Sequence, residues 1–255
     1  MMFSEKEIFN ILLAALFAVS ILIFMVLFFL KAPYGRFTRK NWGLRINPKV
    51  AWLVMEAPAF FTIIFCFLIR DNQNSFVTLV FLALWIIHYF QRTFIYSLLI
   101  KSEKSTFPVL LILFSILFNV WNGYLNGRYL FHFASWYELS WFKDPRFITG
   151  IIIFFLGFAI NLHSDHILRQ LRKPGESGYK IPAGGFYRYL SSPNYFGEII
   201  EWIGWAILTW SLAGLAFAVF TIANLAPRAI ANHNWYTNRF PDYPKARKAI
   251  IPFIL

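Results

Sequence analysis

The sequence has few of the residues on which soluble domains and metal centres depend. Only 14% of its 255 residues are charged, whereas ordinary soluble domains carry about 25%. Its single cysteine, Cys66, excludes a disulfide framework and a site built from several thiolates. The five histidines include His163 and His166, three residues apart, but are too few for the histidine boxes of a membrane di-iron enzyme. We therefore expect no metal ion.

Two nucleotide-binding motifs are also missing. The chain has no G-x-G-x-x-G following a strand pattern and no G-x-x-x-x-G-K-[ST], which excludes a Rossmann domain and a P-loop. It has no internal repeat with broken helices of the kind found in many transporters. Any nucleotide that binds this chain must therefore lie among helices and loops.

Apolar sequence, by contrast, is abundant and occurs in long blocks. Hydrophobic residues make up 58% of the chain and aromatic residues 21%. Residues 9–30 carry no charge over 22 positions, about the length that crosses a bilayer core, and we expect this block to be retained rather than cleaved as a signal peptide. Further blocks lie at residues 51–69, 76–100, 107–125, 147–162, 194–209 and 213–233. The sequence predicts an all-α integral membrane protein with about seven transmembrane helices, forming a single domain over residues 1–255.

The net charge of +12 is explained by the distribution of lysine and arginine. With an outside N-terminus and seven spans, 17 of the 24 basic residues fall in cytoplasmic segments, as the positive-inside rule requires. We therefore expect a cytoplasmic C-terminus and no nucleic-acid partner. A multi-pass protein of this kind belongs in the endoplasmic reticulum of a eukaryote or the inner membrane of a bacterium.

Polar residues at helical spacing mark the later spans. Ionisable groups at hydrocarbon depth cost at least a few kcal/mol each and are rare unless they face a polar cavity, a ligand or one another. Two such sets share helical faces here: Asn161, Asp165, Arg169 and Arg172, and then Asn194, Glu198 and Glu201. Arg169, Arg172, Lys173 and Lys180 also form a candidate phosphate site. The pattern predicts a polar ligand within the membrane protein.

A second polar group lies on the second and third predicted spans. Glu56 is an acid near the middle of an apolar helix, and Tyr89, Arg92 and Tyr96 follow at i, i+3 and i+7 of another. One interpretation is a structural ion pair between Glu56 and Arg92, although buried pairs add little net stability. The other is that Glu56 and Tyr89 donate hydrogen bonds to a substrate oxygen. The residues alone leave both open.

Four segments carry a resemblance to a known family. They are AWLVMEAPAF, HYFQRTFIYSLL, NLHSDHILRQLRKPGESGYKIPAGGFYRYLSSPNYFGEIIEWIGWA and DYPKARKAIIPFIL. From about residue 50 to residue 255 the chain resembles the steroid 5α-reductases, in particular those of type 2, in the same order and with nearly the same spacing. The first span matches only in character.

The resemblance implies a membrane oxidoreductase that uses NADPH to reduce the C4–C5 double bond of a 3-oxo-Δ4-steroid. Glu56 and Tyr89 match the catalytic pair that polarises the 3-keto oxygen, so that hydride reaches C5 and the enolate is then protonated at C4. Substrate-binding positions are matched by Trp52, Glu56, Tyr89 and Phe114. Cofactor-binding positions are matched by Arg92, Tyr96, Asn161, Asp165, Arg172, Tyr179, Asn194, Glu198, Arg228, Asn232 and Tyr236. The implied partners are a steroid and the bilayer, with the protein active as a monomer.

The chain departs from the family at three positions. Phe114 stands where members have an arginine, Ile100 where they have an asparagine, and Asn232 where they have a histidine, with His233 beside it. These changes affect the expected substrate and the cofactor contacts near Asn232 more than the reaction type. The alternatives are a reductase of another activated alkene, such as an enoyl thioester or another sterol, an isoprenylcysteine-type methyltransferase, and a transporter.

Overall fold

Helices account for almost all of the regular structure. The computed structural model describes residues 3–39, 42–70, 76–101, 106–171 and 178–255. Within these ranges the long helices are α1 (Glu5–Phe29), α2 (Pro48–Leu68), α3 (Phe76–Leu99), α4 (Val109–Phe133), α5 (Pro145–Gln170), α6 (Pro193–Thr209) and α7 (Leu212–Arg239). Short 3₁₀ turns lie at Gly35–Phe37, Leu139–Lys143 and Gly185–Arg188, and the antiparallel strands are β1 (Arg45–Ile46) and β2 (Phe107–Pro108). The prediction of an all-α protein is confirmed.

All of these helices except α6 are long and apolar enough to cross a membrane. Each of the six overlaps a span predicted from the sequence, so the chain is a multi-pass membrane protein. Helix α6 has 17 residues, which is about 26 Å of helix against a hydrocarbon core of about 30 Å. The seventh predicted span is therefore a helix, but a shorter one than the others.

Local capping chemistry explains where two of the spans begin. The Asn47 side chain accepts a hydrogen bond from the backbone N–H of Lys49 at 2.8 Å, at the start of α2. The Asp144 side chain accepts one from the backbone N–H of Arg146 at 2.8 Å, at the start of α5. Hydrogen bonds from the Arg146 side chain hold the pKa of Asp144 at about 2. In both cases a proline occupies the first helical position, where its missing N–H costs nothing.

The helices pack into two compact units. The first unit comprises Met1–Ala15, Ala32–Ile148 and Thr209–Gly214, and the second comprises Leu16–Lys31, Thr149–Leu208 and Leu215–Leu255. Substrate-site candidates fall in the first unit, together with Arg92 and Tyr96, and the remaining cofactor-site candidates fall in the second. The single domain over residues 1–255 stays a prediction.

In the first unit α2 packs closely against α4. A Cβ atom added at Gly127 of α4 would lie 2.6 Å from Cβ of Cys66 on α2, so only glycine allows this approach. Nearer the start of α2, a small core is formed by Ala51, Met55, Phe107 and Ile112. The α2–α4 contact is thus fixed at both ends, and Glu56 lies between those ends.

An ion pair joins the start of α1 to the end of α4. Arg128, which is buried, places Nε 2.6 Å and Nη2 2.9 Å from the two carboxylate oxygens of Glu5. Such a two-point contact fixes both side chains in orientation as well as in distance. The start of α1 and the end of α4 therefore lie at the same end of the first unit, which agrees with the alternating topology predicted from the sequence.

Candidate functional site

Arg92 lies against two aromatic rings in the first unit. The central carbon of its guanidinium group is 5.0 Å from the centroid of the Trp52 ring and 4.5 Å from that of Tyr96. The two rings meet edge to face at 5.3 Å. Such contacts let aromatic faces stabilise a buried cation. The structure therefore brings together three predicted site residues from α2 and α3, although their roles stay predictions.

Helix α3 changes its winding at this point. Gln91–Tyr96 form a π-helical turn, in which backbone hydrogen bonds reach the fifth rather than the fourth residue. The sequence pattern predicts Tyr89, Arg92 and Tyr96 on one helical face, and the guanidinium of Arg92 lies 4.5 Å from the centroid of the Tyr96 ring within this turn. Single π turns are often found at functional sites, and no residue in HYFQRTFIYSLL signals one.

Tyr89 is buried just before the π turn. Its ring packs on Trp85, with centroids 5.0 Å apart and planes inclined at 32°. The ring of His88 meets it edge to face at 4.9 Å. Only 3% of Tyr89 is exposed, so these neighbours restrict where its phenol can point.

Glu56 lies half-buried on α2, and side chains from two other helices bind the backbone on either side of it. Asn119 of α4 donates its Nδ2–H to the carbonyl oxygen of Met55 at 2.6 Å. Trp85 of α3 donates its Nε1–H to the carbonyl oxygen of Ala59 at 3.1 Å. Both donors are buried. Neither was predicted from the sequence, because a lone tryptophan or asparagine in an apolar helix carries no sign of its partner.

Glu56 and Tyr89 can each form a hydrogen bond to an oxygen atom of a substrate. A phenol donates its O–H, and a carboxyl group either donates when protonated or accepts from the phenol when ionised. Donors fixed in place before reaction stabilise an oxygen that gains negative charge. Glu56 and Tyr89 therefore have the functional groups needed to polarise a ketone.

Phe114 lies on an exposed face of α4. Its side chain is 57% exposed, on a surface of α4 that also carries exposed Leu110, Leu113 and Leu117. Ile100, the other departure near the substrate region, is half-buried just after the end of α3. An outward apolar side chain on a membrane helix is suited to lipid, so a substrate-binding role for Phe114 stays a prediction that the geometry does not favour.

In the second unit, four predicted cofactor residues form one hydrogen-bonded cluster. Asn161 of α5 donates from Nδ2 to the backbone oxygen of Asn194 at 3.0 Å and to Oε2 of Glu198 at 3.4 Å. Asn194 of α6 donates from its own Nδ2 to Oδ1 of Asp165 at 3.1 Å. Asn161 and Asp165 are buried. We call these four residues the amide–carboxylate cluster.

Glycines on both helices allow this cluster to form. A Cβ atom at Gly157 of α5 would lie 2.2 Å from the backbone nitrogen of Glu201, and one at Gly197 of α6 would lie 2.5 Å from that of Asn161. Gly150 lies seven residues before Gly157, and Gly204 lies seven residues after Gly197. A Cβ atom at either position would lie 2.4 Å from a backbone nitrogen of the facing helix. Glycine interfaces bring membrane helices into backbone contact. These four glycines are not among the residues predicted from the sequence, although they are spaced seven apart on each helix, which is a recognisable pattern.

Helix α7 carries three more predicted cofactor residues at intervals of four. Arg228 is half-buried, Asn232 donates from Nδ2 to Oγ of Ser192 at 3.3 Å, and Tyr236 stacks on Tyr243 at 5.3 Å. Ser192 directly precedes α6. The structure therefore connects Asn232 with the start of the helix that bears Asn194 and Glu198.

Three residues outside the predicted set extend this connection. Ser191 Oγ lies 2.7 Å from Nδ1 of His233 and 2.7 Å from the hydroxyl of Tyr243. A parallel bridge between Leu190 and Lys248 holds the C-terminal segment beside them. Asn232 stands where the resemblance predicts a histidine, and its neighbour His233 takes part in this hydrogen-bonded group. Tyr179, also predicted, is partly exposed and contacts the ring of Trp235 at 4.9 Å.

The predicted phosphate site is only partly covered by the structure. Arg172 and Lys173 lie outside the described residues. Within the described ranges, Arg169 Nη1 and Ser164 Oγ are buried without a hydrogen-bond partner, so this region has unused hydrogen-bonding capacity. No group of three or more His, Cys, Asp or Glu side chains that could hold a metal occurs in the part of the chain that the structure describes.

Comparisons with known proteins give consistent matches. A family model described as 3-oxo-5-alpha-steroid 4-dehydrogenase matches residues 105–255. The chain is 44% identical to 3-oxo-5-alpha-steroid 4-dehydrogenase 1 of Rattus norvegicus over 226 residues, covering 88% of this chain and 86% of the relative. It is 40% identical to Steroid 5-alpha-reductase DET2 of Solanum lycopersicum over 255 residues, covering 98% of both. The human 3-oxo-5-alpha-steroid 4-dehydrogenase 1 is 44% identical over 223 residues, covering 87% of this chain and 85% of the relative.

Proposed function

This chain belongs to the steroid 5α-reductase family and is thus a membrane oxidoreductase of steroid metabolism, and from this premise we propose that it reduces the C4–C5 double bond of 3-oxo-Δ4-steroids to 5α-products with NADPH. Family membership leaves the methyltransferase and transporter alternatives without support. An enoyl thioester or another sterol stays as the alternative substrate class. The observation that carries the proposal is the 40–44% identity to steroid 5α-reductases over most of the chain. It is supported by the burial of Tyr89 and by the hydrogen bonds that hold the α2 backbone on either side of Glu56.

The amide–carboxylate cluster fits a dinucleotide. Its amides and carboxylates offer donors and acceptors suited to ribose hydroxyls and a carboxamide, and arginine offers charge suited to phosphate. Ser164 Oγ and Arg169 Nη1, which are buried and have no hydrogen-bond partner among the described residues, support further hydrogen bonds to a ligand in the same unit. Asn161, Asp165, Asn194, Glu198 and Arg228 are the residues proposed to hold the cofactor. When bound, NADPH supplies the hydride that reaches C5 of the steroid.

The proposed role of Glu56 and Tyr89 follows from enone chemistry. Hydrogen bonds to the 3-keto oxygen withdraw electron density along the conjugated system and make C5 electrophilic. As the enolate forms, negative charge collects on that oxygen, and preorganised donors stabilise it. The enolate is then protonated at C4. Aromatic rings pack on Tyr89 and on Trp52, and an apolar environment that excludes water strengthens hydrogen bonds of this kind.

The test is direct product analysis. The protein is purified in detergent and incubated with testosterone or progesterone and with NADPH or NADH, and products are separated against 5α and 5β standards before mass measurement. We expect a product two mass units heavier, with 5α stereochemistry, formed faster with NADPH. A 5β product, or no reduction of either steroid by folded protein, contradicts the proposal. Reduction of an enoyl thioester alone establishes the alternative.

A further inference from the structure

One buried side chain contacts Tyr89 and also the backbone of α2 close to Glu56. The ring of Trp85 packs on Tyr89 at 5.0 Å, and its Nε1–H binds the carbonyl oxygen of Ala59 at 3.1 Å, three residues after Glu56. Trp85 is fully buried. Because a tryptophan ring is rigid, this contact sets the distance between α3 at Tyr89 and α2 near Glu56.

Asn119 holds the other side of the same stretch. Its Nδ2–H binds the carbonyl oxygen of Met55 at 2.6 Å, directly before Glu56, and only 4% of Asn119 is exposed. Helix α2 runs continuously through Pro58, whose missing backbone N–H leaves the carbonyl oxygen of Val54 without its usual helical donor. This turn of α2 thus has one internal hydrogen bond fewer than an ordinary helix, and donors from neighbouring helices add bonds to it.

We propose that Trp85 and Asn119 are positioning residues that together fix Glu56 and Tyr89 for polarisation of the substrate ketone. The inference rests on the proposed function of that pair. Neither side chain exchanges protons at ordinary pH, since an indole N–H and an amide are only hydrogen-bond donors or acceptors here. They act through Glu56 and Tyr89, and donors misplaced by even about 1 Å lose much of their effect on the transition state.

The test uses Trp85→Phe and Asn119→Leu, each of which removes one hydrogen bond to α2. The matched control is Trp121→Phe, because Trp121 is half-buried on α4 and its Nε1 has no hydrogen-bond partner among the described residues. We expect both test variants to lower kcat by about tenfold or more while KM for NADPH stays within about twofold. The control is expected to keep wild-type kcat.

A double-mutant cycle separates positioning from general damage. If Trp85 acts through the catalytic pair, adding Trp85→Phe to the Tyr89→Phe variant should lower kcat by less than about a further twofold, because the hydroxyl that Trp85 positions is already gone. Independent, multiplying losses contradict the inference, as does a test variant with wild-type kcat. Should one variant fail to fold in a thermal unfolding measurement, the other decides the outcome.

The result is distinguishable from failure of the proposed function. If the wild-type protein reduces no 3-oxo-Δ4-steroid, the proposed function fails and the positioning role fails with it. If the wild type is active and Tyr89→Phe is impaired while Trp85→Phe and Asn119→Leu are not, only the positioning role is wrong.

Discussion

At the scale of single residues, the proposed chemistry depends on two oxygen-bearing side chains. Tyr89 is buried and confined by neighbouring rings, whereas Glu56 is half-buried on a helix held from both sides. Confinement matters because a donor that needs no rearrangement during the reaction stabilises charge most efficiently. Both residues were predicted from the sequence, and their catalytic roles stay predictions.

Tyr89→Phe and Glu56→Gln are expected to slow steroid reduction and to leave NADPH affinity nearly unchanged. Losing one preorganised donor to an oxyanion costs about 2.7–4 kcal/mol, or on the order of a hundredfold or more in rate. The measurements are kcat at saturating steroid and cofactor, and KM for NADPH. Near wild-type turnover in both variants removes the pair from the mechanism.

The Glu56→Gln variant also separates two protonation states. Glutamine keeps a hydrogen-bond donor in its amide, so the decrease in kcat is small if Glu56 acts as a neutral acid. The decrease in kcat is large if Glu56 must be ionised to accept a hydrogen bond from the Tyr89 phenol. A rate profile against pH for both variants distinguishes these cases.

Asp165→Ala is expected to weaken NADPH binding without loss of the folded protein. The change removes an acceptor that binds Asn194 and a carboxylate suited to ribose hydroxyls. A tenfold weaker Kd lowers the stabilisation by a fixed NADPH concentration by about 1.4 kcal/mol, seen as a smaller rise in Tm. The control is His166→Ala, an exposed position on the same helix. Arg172→Ala is expected to act as Asp165→Ala does, and an unchanged NADPH response in both contradicts the assignment.

At the scale of helices, the interface between α5 and α6 depends on glycine. Gly150, Gly157, Gly197 and Gly204 let the two backbones meet directly. The amide–carboxylate cluster begins one turn beyond the Gly157 contact, so the separation of the helices sets the distances within the cluster. Packing and the proposed cofactor site are therefore coupled in this unit.

Gly157→Ala is expected to lower both Tm and NADPH affinity. Its new Cβ would lie 2.2 Å from the backbone nitrogen of Glu201, a contact that only movement of a helix can relieve. Overpacking of this kind costs about 1–3 kcal/mol. Thermal unfolding with and without NADPH measures both effects. Ile152→Ala, on an exposed position of the same helix, serves as the control, and equal behaviour of the two variants argues against the close contact.

At the scale of the whole molecule, charge predicts orientation. The cytoplasmic assignment of most lysines and arginines requires an outside N-terminus and a cytoplasmic C-terminus. The Glu5–Arg128 pair supports the alternation by joining the start of α1 to the end of α4. The side of the membrane on which each loop lies depends on the bilayer and the insertion machinery, so it is best tested by labelling.

Cysteine labelling in sealed membranes checks this orientation. Lys143→Cys is expected to react with a membrane-impermeant maleimide from the outer side, and Lys245→Cys only after permeabilisation. Both lysines are exposed. The wild-type chain is the control because its single cysteine, Cys66, is buried. The reverse labelling pattern contradicts the predicted topology.

The sequence by itself determined the class of the molecule and the places of its helices. A block of about twenty apolar residues must satisfy its backbone internally wherever lipid surrounds it, so length and hydropathy predict a helix without reference to any partner. The starts of α2 and α5 were equally local, since Asn47 and Asp144 cap the turn that follows them. The four family segments added the reaction class and the candidate residues.

Only the tertiary structure decided which faces of those helices meet. The contact of Gly157 with Glu201, the bond from Trp85 to Ala59 and the π turn at Arg92 each depend on residues distant in sequence or on a backbone adjustment. Which helices pair depends on how well the surfaces of several helices fit together, and this fit cannot be read from any one segment. The sequence indicates that an isolated asparagine such as Asn119 in an apolar helix needs a hydrogen-bond partner. Only the packing of α2 against α4 determines that this partner is the carbonyl oxygen of Met55, directly before Glu56.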